Sequence, residues 1–175
     1  MSLNRLIVVL LPLAMLVGCA SAKITSSVDK SRQYRIEKLD IYSEGPLVVL
    51  SNRYADILSE KLSAINVSNV IYVPTEETPL YQTKGTIKVE DLIKSTANAN
   101  VLICSMTKVT TNLASAHRIE MSASIYNKEV SRVIWSAKID SSNIATQGLG
   151  IEGVLLREIA DKTIERLKVD GLLTK

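Results

Sequence analysis

Three residues in this chain carry side chains that commonly start chemistry: Cys19, Cys104 and the single histidine, His117. A thiol attacks only as its thiolate, which needs a cationic neighbour or a helix N-terminus. Cys104 lies in the apolar run Val101-Leu102-Ile103-Cys104 and reads as an inert core residue. His117 would have to be the base of any Ser/His/Asp site, yet no Gly-x-Ser-x-Gly elbow accompanies it. Beside Arg118 at a strand start, it reads as a hydrogen-bonded structural residue. One histidine and one spare cysteine cannot complete a common zinc set, and no EF-hand-like run of Asp and Asn occurs. Gly148-Leu149-Gly150 precedes a helix, as phosphate loops do, but it lacks the Walker lysine and the dinucleotide spacing. The expectation is a non-enzymatic chain with no catalytic residue, no metal ligand set and no cofactor.

Cys19 differs from the others by its position. Arg5 supplies positive charge, Leu6 to Leu16 is apolar, and small residues follow, which is the plan of a secretory signal. A span needs roughly 20 apolar residues; this stretch is shorter and is interrupted by Pro12. An ordinary cleavage near Ala20 or Ala22 would also suit the small residues.

Leu16-Val17-Gly18-Cys19 resembles the lipobox of bacterial lipoproteins. The resemblance implies diacylglycerol on the Cys19 sulfur, removal of residues 1–18 and, in many bacteria, acylation of the new amino terminus. It implies attachment to a membrane through Cys19. Ala20 and Ser21 stand where inner-membrane lipoproteins tend to carry aspartate, so the analogy favours the outer membrane, with the protein facing the periplasm. Each buried methylene adds about 0.8 kcal/mol of membrane affinity, so several chains anchor stably where one does not.

The mature chain is long enough for one domain with a proper core. A formal net charge of +3 without any basic run gives no reason to expect nucleic acid. Phe is absent and aromatics make up 4%, so Leu, Ile and Val must fill that core. Residues 19–33 are small and polar and read as a lipidated tether, leaving 34–175 as a single domain.

Patterning within the domain predicts a strand over 34–42, then a helix over about 47–65 with Leu47, Leu50, Tyr54, Leu58, Leu62 and Ile65 on one stripe. A short strand over 70–73, a loop over 75–86 and a short helix over 89–97 follow. Strands are predicted over 101–109, 117–126 and 133–140. In the last two, Ile119, Met121, Ala123 and Ile125 alternate with Arg118, Glu120, Ser122 and Ser124, then Val133, Trp135, Ala137 and Ile139 alternate with Ile134, Ser136, Lys138 and Asp140, so one face is wet. The polar stretch 141–150 leads into a helix over 151–167, with Gly171 placed for a left-handed cap. The expected fold is an α/β (α+β) two-layer sandwich in the order β-α-β-α-β-β-β-α. It has a mixed sheet of about five strands and helices on one face.

Asn98-Ala99-Asn100-Val101-Leu102-Ile103, followed by Val133-Ile134-Trp135-Ser136 and a helix, is similar to small envelope lipoproteins. That class includes the curli-secretion lipoprotein and the amino-terminal domain of the Tol-system β-propeller protein. Asn100 replaces the usual Asp, and the turn lacks the usual Asp and Gly. The resemblance implies an accessory role in envelope assembly, secretion or a surface structure and no catalytic residues; an envelope protein is the expected partner, and the sequence leaves a homo-oligomer open. A carrier or sensor of a small amphiphile, using a pocket between sheet and helices, is the alternative.

Overall fold

The structure, a computed structural model, describes residues 20–72, 93–111, 116–144 and 151–174. Its elements are β1 (Ala20–Val28), β2 (Lys38–Glu44), α1 (Val48–Ala64), β3 (Ser68–Tyr72), β4 (Asn100–Thr111), β5 (Ala116–Asn127), β6 (Arg132–Ile144) and α2 (Ile151–Val169). The six strands form one sheet in the order β1-β6-β5-β4-β2-β3. β1, β6, β5 and β4 pair antiparallel, while β4, β2 and β3 pair parallel. Six strands rather than five is a correction, and its cause lies at the start of the chain. Ala20–Val28, expected within a tether, is an edge strand bonded along its length to β6. Ala22, Ile24 and Val28 pack toward the core, while Lys23, Thr25 and Ser27 are exposed. Serines had masked this period-two pattern. The strand expected over 34–42 starts instead at Lys38, although Tyr34 and Ile36 ahead of it are buried. Of the helix expected over 89–97, residues 93–95 are helical and 97–99 bend away. Residues 89–92 of that helix and the whole 75–86 loop lie outside the described residues.

Both long helices cover the same face, α1 over β2, β3 and β4, and α2 over β1 and β6. Tyr54, Ala55, Leu58 and Leu62 of α1 are fully buried, as are Leu155, Ile159, Ala160 and Leu167 of α2. They meet Leu39, Ile41, Leu102, Cys104, Met106, Ile125 and Trp135 of the sheet in one cluster. Burying each such side chain contributes about 1.5–3 kcal/mol. The helices are joined at depth by one polar chain. Tyr54 donates its hydroxyl proton to Thr163 Oγ1 at 2.9 Å, and Thr163 donates to the Ile159 carbonyl at 2.8 Å.

Helix ends follow from local chemistry. Gly171 adopts φ +78°, as its position predicts. The Leu172 amide donates to the Leu167 carbonyl and the Gly171 amide to that of Lys168, which is a Schellman closure with Leu172 over Leu167. Asn66 (φ +62°) closes α1 in the same way, through Val67 to Leu62 and Asn66 to Ser63. Gly45 (φ +95°) turns the chain from β2 into α1, where a Cβ would lie 2.5 Å from Ser105 Oγ.

One latch binds the edge strand to α2. Asp170, 6% exposed, accepts from Trp135 Nε1 (2.8 Å) and Ser26 Oγ (2.6 Å) and pairs with Arg166 Nη2 at 2.9 Å. A carboxylate at a helix C-terminus opposes the helix dipole, so these donors are what hold it there. Further along, Glu158 Oε1 accepts from the Ala22 amide at 2.9 Å, closing part of the exposed edge of β1. Asp170→Ala strands the indole N–H, while Arg166 keeps Ser26 Oγ and solvent, and should cost about 2 kcal/mol, or roughly 6 °C of melting temperature. The check is thermal denaturation followed by the single tryptophan; a loss below about 2 °C would refute the latch.

β1 ends in a second anchor. Asp29 accepts from the Ser31 amide (2.9 Å) and the Tyr34 hydroxyl (2.7 Å), and pairs with Arg132 at 2.7 Å. The Ser31 amide, then Tyr34, lower its pKa from the ordinary 3.8 to about 2. Because the folded value lies below the unfolded one, the contribution is full above about pH 4 and fades as pH falls toward 2. Denaturation midpoints of the protein and of Asp29→Asn should differ at pH 6 and converge at pH 2. A gap that stays constant would exclude the linkage.

Candidate functional site: the open face of the sheet

With helices on one face only, β-strand alternation leaves the other face without a covering helix among the described residues. Register fixes what it presents. One row crosses all six strands as Ser27, Ser136, Ser124, Ile103, Tyr42 and Tyr72. The next runs through Thr25, Lys138, Ser122, Ser105 and Glu44, and the one beyond it through Lys23, Asp140, Glu120 and Lys108. The face therefore grades from aromatic and aliphatic residues at the β3 corner, through a band of hydroxyls, to a charged end.

At the aromatic corner, Tyr42, Val101 and Ile103 are buried with Tyr72 against them. The two tyrosine rings are tilted at 57° with centroids 6.3 Å apart. Burial, then Glu44 and Tyr72, push the Tyr42 phenol pKa upward, so it stays a neutral donor. Just beyond, buried Asp40 accepts from the Asn98 amide (2.8 Å) and from Asn98 Nδ2 (2.6 Å). Asn127 donates to Asn100 Oδ1 at 2.8 Å. The Asn98-Ala99-Asn100 stretch is thus tied to β2 on one side and to the β5–β6 turn on the other.

At the charged end, Arg118 Nε donates to Asp140 Oδ1 at 2.9 Å, and its Nη2 also meets that carboxylate. Glu120 lies 3.5 Å from Arg118 Nε and 3.9 Å from Lys108 Nζ. The bond to Asp140 is the main reason the guanidinium pKa is raised. A bulge between Met106 and Lys108 adds Thr107 to this region, and Thr107 donates to the Glu120 carbonyl at 3.0 Å. Two shallow concavities of about 510 and 500 Å³ lie side by side here, one on the charged end and one over the serine band.

The four wet-face charges read from sequence, Arg118, Glu120, Lys138 and Asp140, do come together. Lys23 and Thr25 join them from β1 and were missed because that strand was missed. Trp135 is buried in the core, 1% exposed. Cys104 is buried on the helix side, and burial pushes its thiol up to about 12, which keeps it protonated. His117 lies in β5 with its backbone opposite Asn143; its side chain, Cys19 and Gly148-Leu149-Gly150 lie outside what is described. Among the described residues, no three of His, Cys, Asp and Glu could hold a metal ion. No helix among them is long and apolar enough to cross a membrane. Small hydroxyls, tyrosines and paired charges on a broad face suit recognition of a surface.

No family model matches the chain, and no curated protein matches it by sequence. Solved structures do match it in fold. PelC from Paraburkholderia phytofirmans, a dodecamer, aligns over 81% of this chain and 94% of its own at 14% identity and a TM-score of 0.54. A variant PelC dodecamer in a second crystal form gives 79%, 94%, 11% and 0.52 in the same order. Protein XCC0632 from Xanthomonas campestris gives 83%, 89%, 7% and 0.50. At such identities, what this chain shares with PelC and XCC0632 is the fold: one mixed sheet with its helices on one side.

Proposed function

We propose that this chain is a lipid-anchored, non-enzymatic component of the bacterial envelope that docks an envelope protein through the open face of its sheet. The observation that carries this reading is that Ala20, the residue after the lipobox cysteine, is already the first residue of an edge strand. A lipid on Cys19 would then hold the domain close to the bilayer. Ala20 and Ser21 favour the outer membrane, with the domain in the periplasm. Self-association is part of the proposal: PelC, whose fold this is, is a dodecamer, and copies confined to one membrane meet readily. The amphiphile-carrier alternative has less to draw on: between sheet and helices the described residues leave a concavity of about 190 Å³, where Ala22 and Ile24 of β1 face Lys162, Arg166 and Val169 of α2, against two of about 500 Å³ on the outer face.

Replacing Cys19 with serine tests the anchor. The variant should leave the membrane fraction, and a processed variant that stays there unchanged would overturn lipid attachment. A photo-crosslinking residue at Ser124 in the native protein should capture one defined envelope protein. Capture of nothing, with the same probe at exposed Glu60 of α1 as control, would remove the docking face. Native mass spectrometry of the detergent-extracted protein should show a closed oligomer, and a monomer at all concentrations would refute self-association.

A further inference from the structure

We infer that the charged end of the open face binds the phosphate of an anionic lipid headgroup in the leaflet that holds Cys19, an inference that rests on the lipid-anchor reading. Strand register places Arg118 level with Ser21, and Lys23 level with Asp140, Glu120 and Lys108. At about 3.4 Å per residue, Ser21 lies ~7 Å and Lys23 ~13 Å along the strand from Cys19. The headgroup layer extends roughly 5–7 Å beyond the hydrocarbon, and a flexible four-carbon stem carries the lysine charge across the remaining gap.

The charge pattern fits a phosphate. The concavity there is lined by three cations, Lys23, Arg118 and Lys138, against two acids, Glu120 and Asp140. Both acids are already engaged, Asp140 by Arg118 and Glu120 by Arg118 and Lys108. That leaves Lys23 and Lys138 without an acidic partner among the described residues. The Thr25 and Ser122 hydroxyls lie in the same concavity, level with Lys138 on either side. Two unpaired ammonium groups with adjacent hydroxyl donors are the elements of a charge-assisted phosphate site.

The test places the full-length lipidated protein in nanodiscs of phosphatidylcholine, with or without phosphatidylglycerol. Lysines are acylated briefly with a neutral ester and the products quantified by mass spectrometry. Lys23 should react at least threefold more slowly in the anionic discs, with a smaller slowing at Lys138, which register places two residues further from Cys19, while Lys38 at the far end of the sheet is unchanged. Equal rates in both discs overturn the site. The same slowing in neutral discs with added inorganic phosphate overturns the lipid assignment in favour of a free anion. In Arg118→Gln, which keeps Lys23 at the same depth, the slowing should fall at least twofold; full slowing there reflects only the general membrane potential and also overturns the site. Failure to co-elute with discs counts against the anchor alone. The site is then read with soluble dihexanoylphosphatidylglycerol against dihexanoylphosphatidylcholine, where an unchanged Lys23 rate refutes it.

Discussion

The pairing of β1 with β6 sets the constraint on which the rest of this protein's behaviour depends. It begins at Ala20, directly after Cys19 in the chain, so the described residues leave no slack between that position and the sheet. The pairing is at an edge, where strands fray unless they are tied down. Here the ties are side chains. Asp170 gathers Trp135, Ser26 and Arg166 at one point, Glu158 takes an outward amide of β1, and Asp29 fixes the exit through Ser31, Tyr34 and Arg132. A force applied at Cys19 therefore reaches the core through hydrogen bonds that cross between layers.

The second constraint is that the apolar side chains along the middle of β5 all point the same way. Ile119, Met121, Ala123 and Ile125 face the helices, so the opposite face is free to carry polar residues without loss of stability. Its serines and threonines are small enough to leave the sheet broad and shallow, which suits contact with another surface better than enclosure of a small molecule. At the corner Tyr42, Val101 and Ile103 are already buried, so the part of the face open to contact is its serine band and charged end.

Much of this was legible in the sequence where periodicity was strong. Helix α1 falls one residue inside its expected bounds at each end, and Gly171 caps α2 as its position demands. The alternation from Arg118 to Asp140 names the wet face correctly except at the start of β6, where a register shift opposite Ile125 and Tyr126 leaves Val133 exposed and Ile134 buried. What could not be read had a physical cause in each case. Ser21, Ser26 and Ser27 give β1 the composition of a linker, and only its long-range pairing with β6 makes it a strand. Asp170 looks like an ordinary residue after a helix, because its three donors come from α2, β6 and β1, more than 30 and 140 residues apart in two cases. The face as a site emerges only when register lines up six strands.

A face of this kind binds weakly per copy. Exposed ion pairs such as Arg118–Asp140 contribute about 0.2–1 kcal/mol each, and hydroxyl contacts exchange for water with little net gain. The physics therefore favours binding by many copies at once. The proposed anchor at Cys19 would confine the domains to a plane and set their orientation, removing freedom that would otherwise oppose association. Under that proposal, once one copy engaged, its neighbours would meet the same partner at a high effective concentration, where avidity can exceed single-site affinity by about 10²–10⁴ without any new contact. On this view the absence of slack at Cys19 and the shallow face belong together: a loosely tethered domain with the same surface would lose the pre-alignment that makes weak contacts sufficient.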